Sequence, residues 1–404
     1  MDNQKIKSLE LINKNLTCDE IHWWQFPLNY FSVKFSDNYK DKLFDKIYTE
    51  RSKSLEFAKY INQKSKKYNK NWSFKRQRAL VWHYKSEANF IPAWFVYESA
   101  LYFNLDLLEI EKNIVAYITF RGKIIVYPIF PVKVTPEFTS VPIHIMGDGC
   151  LTPEGLFCYG QKDINNLKRF VSLIKNIFGD YTVIDTKRKY GIPVVYVPKI
   201  FSIVITNYFN INLYLSSEWR IAESFKQLGR YHELAVLSAF VNDEGCTSAG
   251  VYICSSNLNL LRDVMDIGEN LGYKFNSIIT SYPNHYNKLR AEHYKVNMSA
   301  SSIEKFYLDL KLLYNKFPLL NIGRKYENLE KWVNIKNRGW IQRKKLETKK
   351  IIINLLRNGE KTAYQLGDGA NISVWTTYHH LQQLTKKGQV VKYKSGRQYL
   401  YKLV

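Results

Sequence analysis

Apolar residues fall at helical spacing at Leu167, Phe170, Val171, Ile174 and Ile177, and again at Leu260, Leu261, Val264, Ile267 and Leu271. Each set lines one face in steps of three and four, and each run stops at a glycine, Gly179 or Gly272, so two amphipathic helices are predicted. A short β-like stretch ending at a cysteine, Cys158 or Cys254, precedes each helix. Before that stretch stands an acid followed by glycine, Asp148-Gly149 and Glu244-Gly245. Each acid closes an apolar segment, TPEFTSVPIHIMGDG (135–149) and RYHELAVLSAFVNDEG (230–245). Downstream, 182–198 predicts a hairpin with a basic turn, and 275–298 predicts another that turns near Pro283 and Asn284. Helical segments over 199–209 and 302–317 close the two units. The order helix, hairpin, helix, hairpin, helix therefore occurs twice. That order predicts an α+β chain with two pseudo-symmetric repeats, over 131–225 and 226–335.

The flanks carry different patterns. In 340–404, a helix with Ile351, Ile352, Leu355 and Leu356 stops before Gly359, and a short second helix starts near Thr362. Ser373 suits the cap of a third helix with Val374, Tyr378, Leu381 and Leu384 on its apolar face. Strict alternation in VVKYKSGRQYLYKLV then predicts a hairpin. The first 130 residues predict a mostly helical region. It has a basic stretch over 64–78, paired helices over 91–114 and a hairpin turning at Arg121-Gly122.

Charge narrows the partners. The 404 residues hold 59 Lys and Arg against 36 Asp and Glu, a net charge of +23. Such an excess favours a polyanion through phosphate neutralisation and counterion release. No apolar run approaches the length of a membrane span, and the start of the chain lacks a signal-peptide pattern, so a soluble, cytoplasmic protein is expected. The five cysteines argue against a disulfide scaffold. Cys150 and Cys158 have the same spacing as Cys246 and Cys254, and these four are expected to mark equivalent strand positions facing a core, with a zinc site as the lesser alternative.

The paired acids carry the candidate chemistry. Small Ser238 and Ala239 lie inside the second apolar segment, and small residues let two helices approach closely. Two such helices packed together would deliver Asp148 and Glu244 to one end. Paired carboxylates bind a divalent cation, Mg²⁺ above all, and metal between carboxylate and phosphate is the machinery of phosphodiester hydrolysis. A second Gly-Asp-Gly, at 367–369, lacks the long apolar helix before it and the strand-helix pattern after it.

LSAFVNDEG (237–245) resembles the motif of the LAGLIDADG homing endonucleases, and VPIHIMGDG (141–149) resembles a more degenerate first copy. The resemblance covers under half of the chain and is to two-motif, single-chain members of archaeal and intein type. It implies a pseudo-twofold β-saddle on double-stranded DNA, with the motif helices at its centre. Asp148 and Glu244 would be the catalytic, metal-holding acids, with Mg²⁺ or another divalent cation, in a monomer. Lys187, Arg188, Lys189, Arg290 and Lys295 would lie on the saddle. Pro142 and Ile143 depart from the pattern, and a proline there predicts a first helix that starts late or kinks. The C-terminal pattern resembles a winged helix-turn-helix. It would turn Trp375, Thr376, Thr377, His379 and His380 to DNA, with Lys392, Lys394 and Arg397 on the wing. Two rival functions remain open: a non-cleaving DNA-binding regulator built on the same saddle, and a maturase that binds structured RNA.

Overall fold

The computed structural model describes residues 19–47, 55–70, 83–85, 89–119, 123–183, 185–187, 191–212, 218–248, 250–281, 292–337, 345–396 and 398–404. Contacts divide the chain into two compact units, Met1–Ala239 with Phe317–Leu320, and Phe240–Lys316 with Asn321–Val404. The fold is mixed helix and antiparallel sheet.

The N-terminal part of the first unit holds β1 (Glu20–Ile21), β2 (Phe31–Phe35), α1 (Asp37–Ile47), α2 (Leu55–Lys67) and β3 (Ile91–Pro92). It continues through α3 (Ala93–Phe103), α4 (Leu107–Lys112), β4 (Ile114–Thr119), β5 (Ile124–Val126) and β6 (Val132–Lys133). A sheet stands beside the helices of this region. Strands β3, β2, β4 and β5 form a sheet, and β9 (Asp180–Tyr181), from well past residue 130, adds its fifth strand beside β5. Strand β2 alternates as a strand should, with Phe31, Val33 and Phe35 buried, but it is too short to stand out in the sequence. Pairing of β1 with β6 crosses residue 130 as well. Aromatic packing crosses it a third time: Phe201 stacks on Phe178 at 4.1 Å and meets Tyr117 edge-on at 6.4 Å. The N-terminal region and the first repeat therefore share one core.

The first repeat runs α5 (Pro136–Asp148), β7 (Gly149–Leu151), β8 (Phe157–Gly160), α6 (Ile164–Phe178), β9, β10 (Asp185–Lys187), β11 (Pro193–Tyr196) and α7 (Lys199–Phe209). Its sheet has the order β10-β11-β8-β7. Helix α5 corrects the expectation of a late start. It begins at Pro136, whose missing N–H costs nothing at the first helical position, and the Thr135 hydroxyl caps it by accepting from the Phe138 N–H at 3.3 Å. Pro142 lies inside the helix, which runs on to Asp148. Burial of nearly every residue from Pro136 to Met146 supplies packing that offsets the lost backbone bond.

The second repeat runs α8 (Arg230–Glu244), β12 (Gly245–Cys246), β13 (Tyr252–Ser255), α9 (Leu258–Asn270), β14 (Ile279–Ser281), β15 (His293–Asn297) and α10 (Ala300–Lys316). Its sheet order, β14-β15-β13-β12, is that of the first repeat, strand for strand. The register corrects the cysteine reading. Gly149 pairs with Tyr159 in the first hairpin, and Gly245 pairs with Ile253 in the second, which is two residues shorter. Cys254 is thus equivalent to Gly160, not to Cys158. Only Cys158 of the four is buried, and none of the four is in a disulfide.

After α11 (Arg324–Asn337), the chain ends in α12 (Lys345–Arg357), β16 (Lys361–Thr362), α13 (Ala363–Ala370), α14 (Val374–Lys386), β17 (Val390–Ser395) and β18 (Gln398–Leu403). The three strands form a sheet in the order β16-β18-β17. Ile352, Leu356, Leu366, Leu381, Leu384, Val390 and Tyr401 make a separate core for this part. Asp368 is an exposed residue inside helix α13.

Within the first unit, α5 is tied to the start of α8 by a polar contact. The Thr139 hydroxyl donates to the Thr135 carbonyl at 3.1 Å, so its oxygen is placed to accept from His232 Nδ1 at 2.8 Å. Burial pushes the His232 imidazole down to about 4 from its ordinary 6.5, against the opposing pull of Asp19. A histidine lowered in the folded state takes its proton first in the unfolded chain. Stability from this site is therefore complete above pH 6.5 and is lost as pH falls towards 4. Urea unfolding at pH 7 and pH 4.5 is expected to show a smaller drop in midpoint for His232→Gln than for the native chain.

Candidate metal and nucleic-acid sites

Each motif helix ends on its acid, Asp148 on α5 and Glu244 on α8, and a strand leaves at once through the following glycine. That turn leaves no room for a side chain. A Cβ on Gly149 would stand 2.6 Å from Ile145 Cα and 2.8 Å from the Cys158 carbonyl oxygen. One on Gly245 would stand 2.6 Å from the Val241 carbonyl oxygen and 2.9 Å from Val241 Cα. Neither glycine has a positive φ. Both are required by close approach of the strand to the last helical turn, not by conformational freedom.

The acids sit where a helix favours them least. A helix C-terminus carries partial negative charge, and a carboxylate there costs about 0.3–1 kcal/mol. Asp148 belongs to the first unit, where it is exposed and accepts from Gln161 Nε2. Glu244 belongs to the second unit and is half-buried. There the Lys325 ammonium, on α11, donates to the carbonyls of Val241 (3.1 Å), Asn242 (2.5 Å) and Gly245 (2.6 Å). It caps the end of α8 and brings positive charge to the corner on which Glu244 stands. Asp243, beside Glu244, accepts from Asn242 Nδ2 at 2.9 Å. Burial, with Glu244 and Cys246 nearby, raises the Cys254 thiol above its ordinary value against the pull of Lys295. Burial also pushes the Cys246 thiol up, but hydrogen bonds from Ser248 and Tyr252 and the charge of Lys325 outweigh it and leave the thiol lowered.

Lys295 lies on β15 opposite Cys254, so the second acid has two lysines in its neighbourhood. Its ammonium stands 3.8 Å from the centre of the Tyr252 ring. Lys295 was among the basic residues that the resemblance implied for the saddle, but the sequence carried no sign of Lys325, which reaches the motif from some eighty positions away through tertiary packing. Gln161, one residue past the end of β8, was missed for the same reason. Carboxylates, with backbone carbonyls nearby, are oxygen donors that suit a hard divalent cation. Among the described residues, no group of three or more His, Cys, Asp or Glu side chains is placed to hold a metal ion.

Of the other expected saddle contacts, Lys187 lies on β10, while Arg188, Lys189 and Arg290 lie outside the described residues, as does Arg397 of the wing. The face of α14 differs from the expected one. Ser373 caps the helix, accepting from the Thr376 N–H at 3.0 Å. Thr377 and His380, expected to face DNA, are buried, and the Thr377 hydroxyl donates to the Ser373 carbonyl at 3.0 Å. Tyr378, expected in the core, is exposed. The helix is rotated from the expected setting because Thr377, Leu381 and Leu384 fill the stripe against α13. Trp375, Tyr378, His379 and Gln382 share the outer face, and Thr376 is half-buried. Lys392 and Lys394 are exposed on β17.

No family model matches the chain, and no curated protein does. Among solved structures, it overlaps a mesophilic variant of the homing endonuclease I-DmoI at 18% identity, covering 43% of this chain and 94% of that one, with a TM-score of 0.32. I-DmoI in complex with DNA and Ca overlaps at 17% identity, covering 43% and 87%, with a TM-score of 0.31. Full-length WhiA (DUF199) from Thermatoga maritima overlaps at 14% identity, covering 63% and 92%, with a TM-score of 0.30. Overlaps this loose assign neither fold nor activity. No helix among the described residues is long and apolar enough to cross a membrane.

Two stability results are expected from this geometry. Gly149→Ala and Gly245→Ala should each lower unfolding free energy by about 1–3 kcal/mol, because backbone must move to admit the methyl group. Lys325→Met should cost a similar amount, about 1.5–3 kcal/mol, by leaving the α8 carbonyls without their charged donor. Chemical denaturation of the purified variants measures both.

Proposed function

We propose that the protein is a metal-dependent endonuclease of the LAGLIDADG type that hydrolyses double-stranded DNA as a pseudo-twofold monomer. The observation that carries this reading is the repeated corner. Twice, in sheets of identical order, a buried helix ends on a carboxylate held by a glycine that tolerates no side chain. A charge placed against the helix dipole twice over is better explained by use than by stability.

In this reading, Asp148 and Glu244 hold the divalent cation, with magnesium as the first choice. When bound, the cation supplies Lewis-acid polarisation of the phosphate and a more acidic water. Lys325 fixes the Glu244 corner and, with Lys295, keeps the carboxylate in a positive surrounding. Lys187 and the excess positive charge neutralise phosphates. The segment 340–404 serves as a winged helix that adds DNA affinity. Its size keeps one rival in view, a DNA-binding regulator that does not cleave. The corner favours the nuclease over that rival, since binding alone requires neither acid.

The test is plasmid cleavage with Mg²⁺, comparing the native chain with Asp148→Asn and Glu244→Gln. Each variant is expected to lose cleavage by at least about a hundredfold while unfolding at the same or a slightly higher temperature, because a charge opposing the helix dipole is gone. Cleavage by both variants at the native rate would sink the assignment.

A further inference from the structure

Of the four side chains on the outward face of α14, Gln382 alone has the chemistry for bidentate reading of base edges in a duplex. Major-groove readers present arginine, lysine, asparagine or glutamine to the bases. Here the face presents Trp375, Tyr378, His379 and Gln382. Trp375 is 71% exposed, which is costly for so large an apolar surface unless something covers it. Its ring lies parallel to that of His379, one helical turn on, with centroids 6.3 Å apart and planes within 6°. Gln383 Nε2 and His379 Nε2 are 2.8 Å apart, which fixes the imidazole in that plane. The result is a pair of parallel aromatic faces open to solvent.

Positive charge is supplied by the next element, not by the helix face. Lys392 and Lys394 are exposed on β17, and the Lys392 ammonium lies 4.0 Å from the centre of the Tyr399 ring, itself 49% exposed. Aromatic faces and lysines together form the combination that holds unpaired strands: bases stack on the rings and the lysines meet the phosphates. We propose that the α14 face is a stacking platform for an unpaired DNA strand, centred on Trp375 and His379, with Lys392 and Lys394 on the backbone. The choice of DNA rests on the nuclease reading above; the choice of an unpaired strand rests on the rings alone.

The full chain is tested by fluorescence anisotropy against labelled oligo-dT, oligo-U and a blunt duplex. Trp375→Ala is expected to weaken oligo-dT binding by about 5- to 150-fold, the loss of one base–aromatic stack. Trp375→Phe should recover most of that loss, and duplex binding should be unchanged. The exposure of Trp375 makes misfolding of either variant an unneeded explanation, and circular dichroism checks it. Loss of duplex binding alone, equal loss on duplex and single strand, or no change would each overturn the platform. So would a loss confined to oligo-U. Glu244→Gln separates the two readings: it should abolish cleavage and leave oligo-dT binding intact. A native chain that fails to cleave but shows the Trp375 effect would overturn the nuclease and leave the platform standing.

Discussion

The close approach between strand and helix at Gly149 and Gly245 is the constraint on which the repeats depend. In each, the backbone leaves the helix and folds back over its last turn, so that a β-carbon would sit 2.6 Å from atoms of that turn. This places the first strand of each sheet directly beneath its helix and sets the pairing that follows, Gly149 with Tyr159 and Gly245 with Ile253. It also holds the acid before each glycine at the rim, with little freedom to retreat into the core.

That position is electrostatically poor, and the two halves manage it differently. In the first, Asp148 is exposed, where water screens the helix dipole, and Gln161 donates to it. In the second, Glu244 is half-buried, and the Lys325 ammonium takes up three carbonyls of the same corner. An asymmetric pair of acids on a symmetric frame fits a single chain whose two copies have diverged. The same divergence appears in the hairpins: one is two residues shorter, and a glycine in one stands where the other has Cys254.

The chain's terminal part obeys a simpler rule. A helix with Val374, Thr377, Tyr378, His380, Leu381 and Leu384 offers two overlapping stripes at helical spacing. Periodicity alone does not choose between a face containing Tyr378 and one containing Thr377 and His380. Packing chooses the second, since the smaller threonine fits against the neighbouring helix and hydrogen-bonds its own backbone. Tyrosine is thereby turned outward beside Trp375 and His379, and the surface gains its aromatic character.

By itself, the sequence determined the repeats, the order of elements within them, the two acid-glycine corners and the excess of positive charge. Those features are local: periodicity, a stop at glycine and an acid in a fixed place are all written within a few turns of chain. Tertiary structure decided what depends on residues far apart. It kept α5 whole across Pro142, because burial replaced a lost hydrogen bond. It made the N-terminal region share a sheet with the first repeat through a two-residue strand, Asp180–Tyr181, too short to carry any pattern. It brought Lys325 to the second acid from a different helix. No spacing rule encodes such a contact, because its energy comes from groups that meet only after the chain has folded.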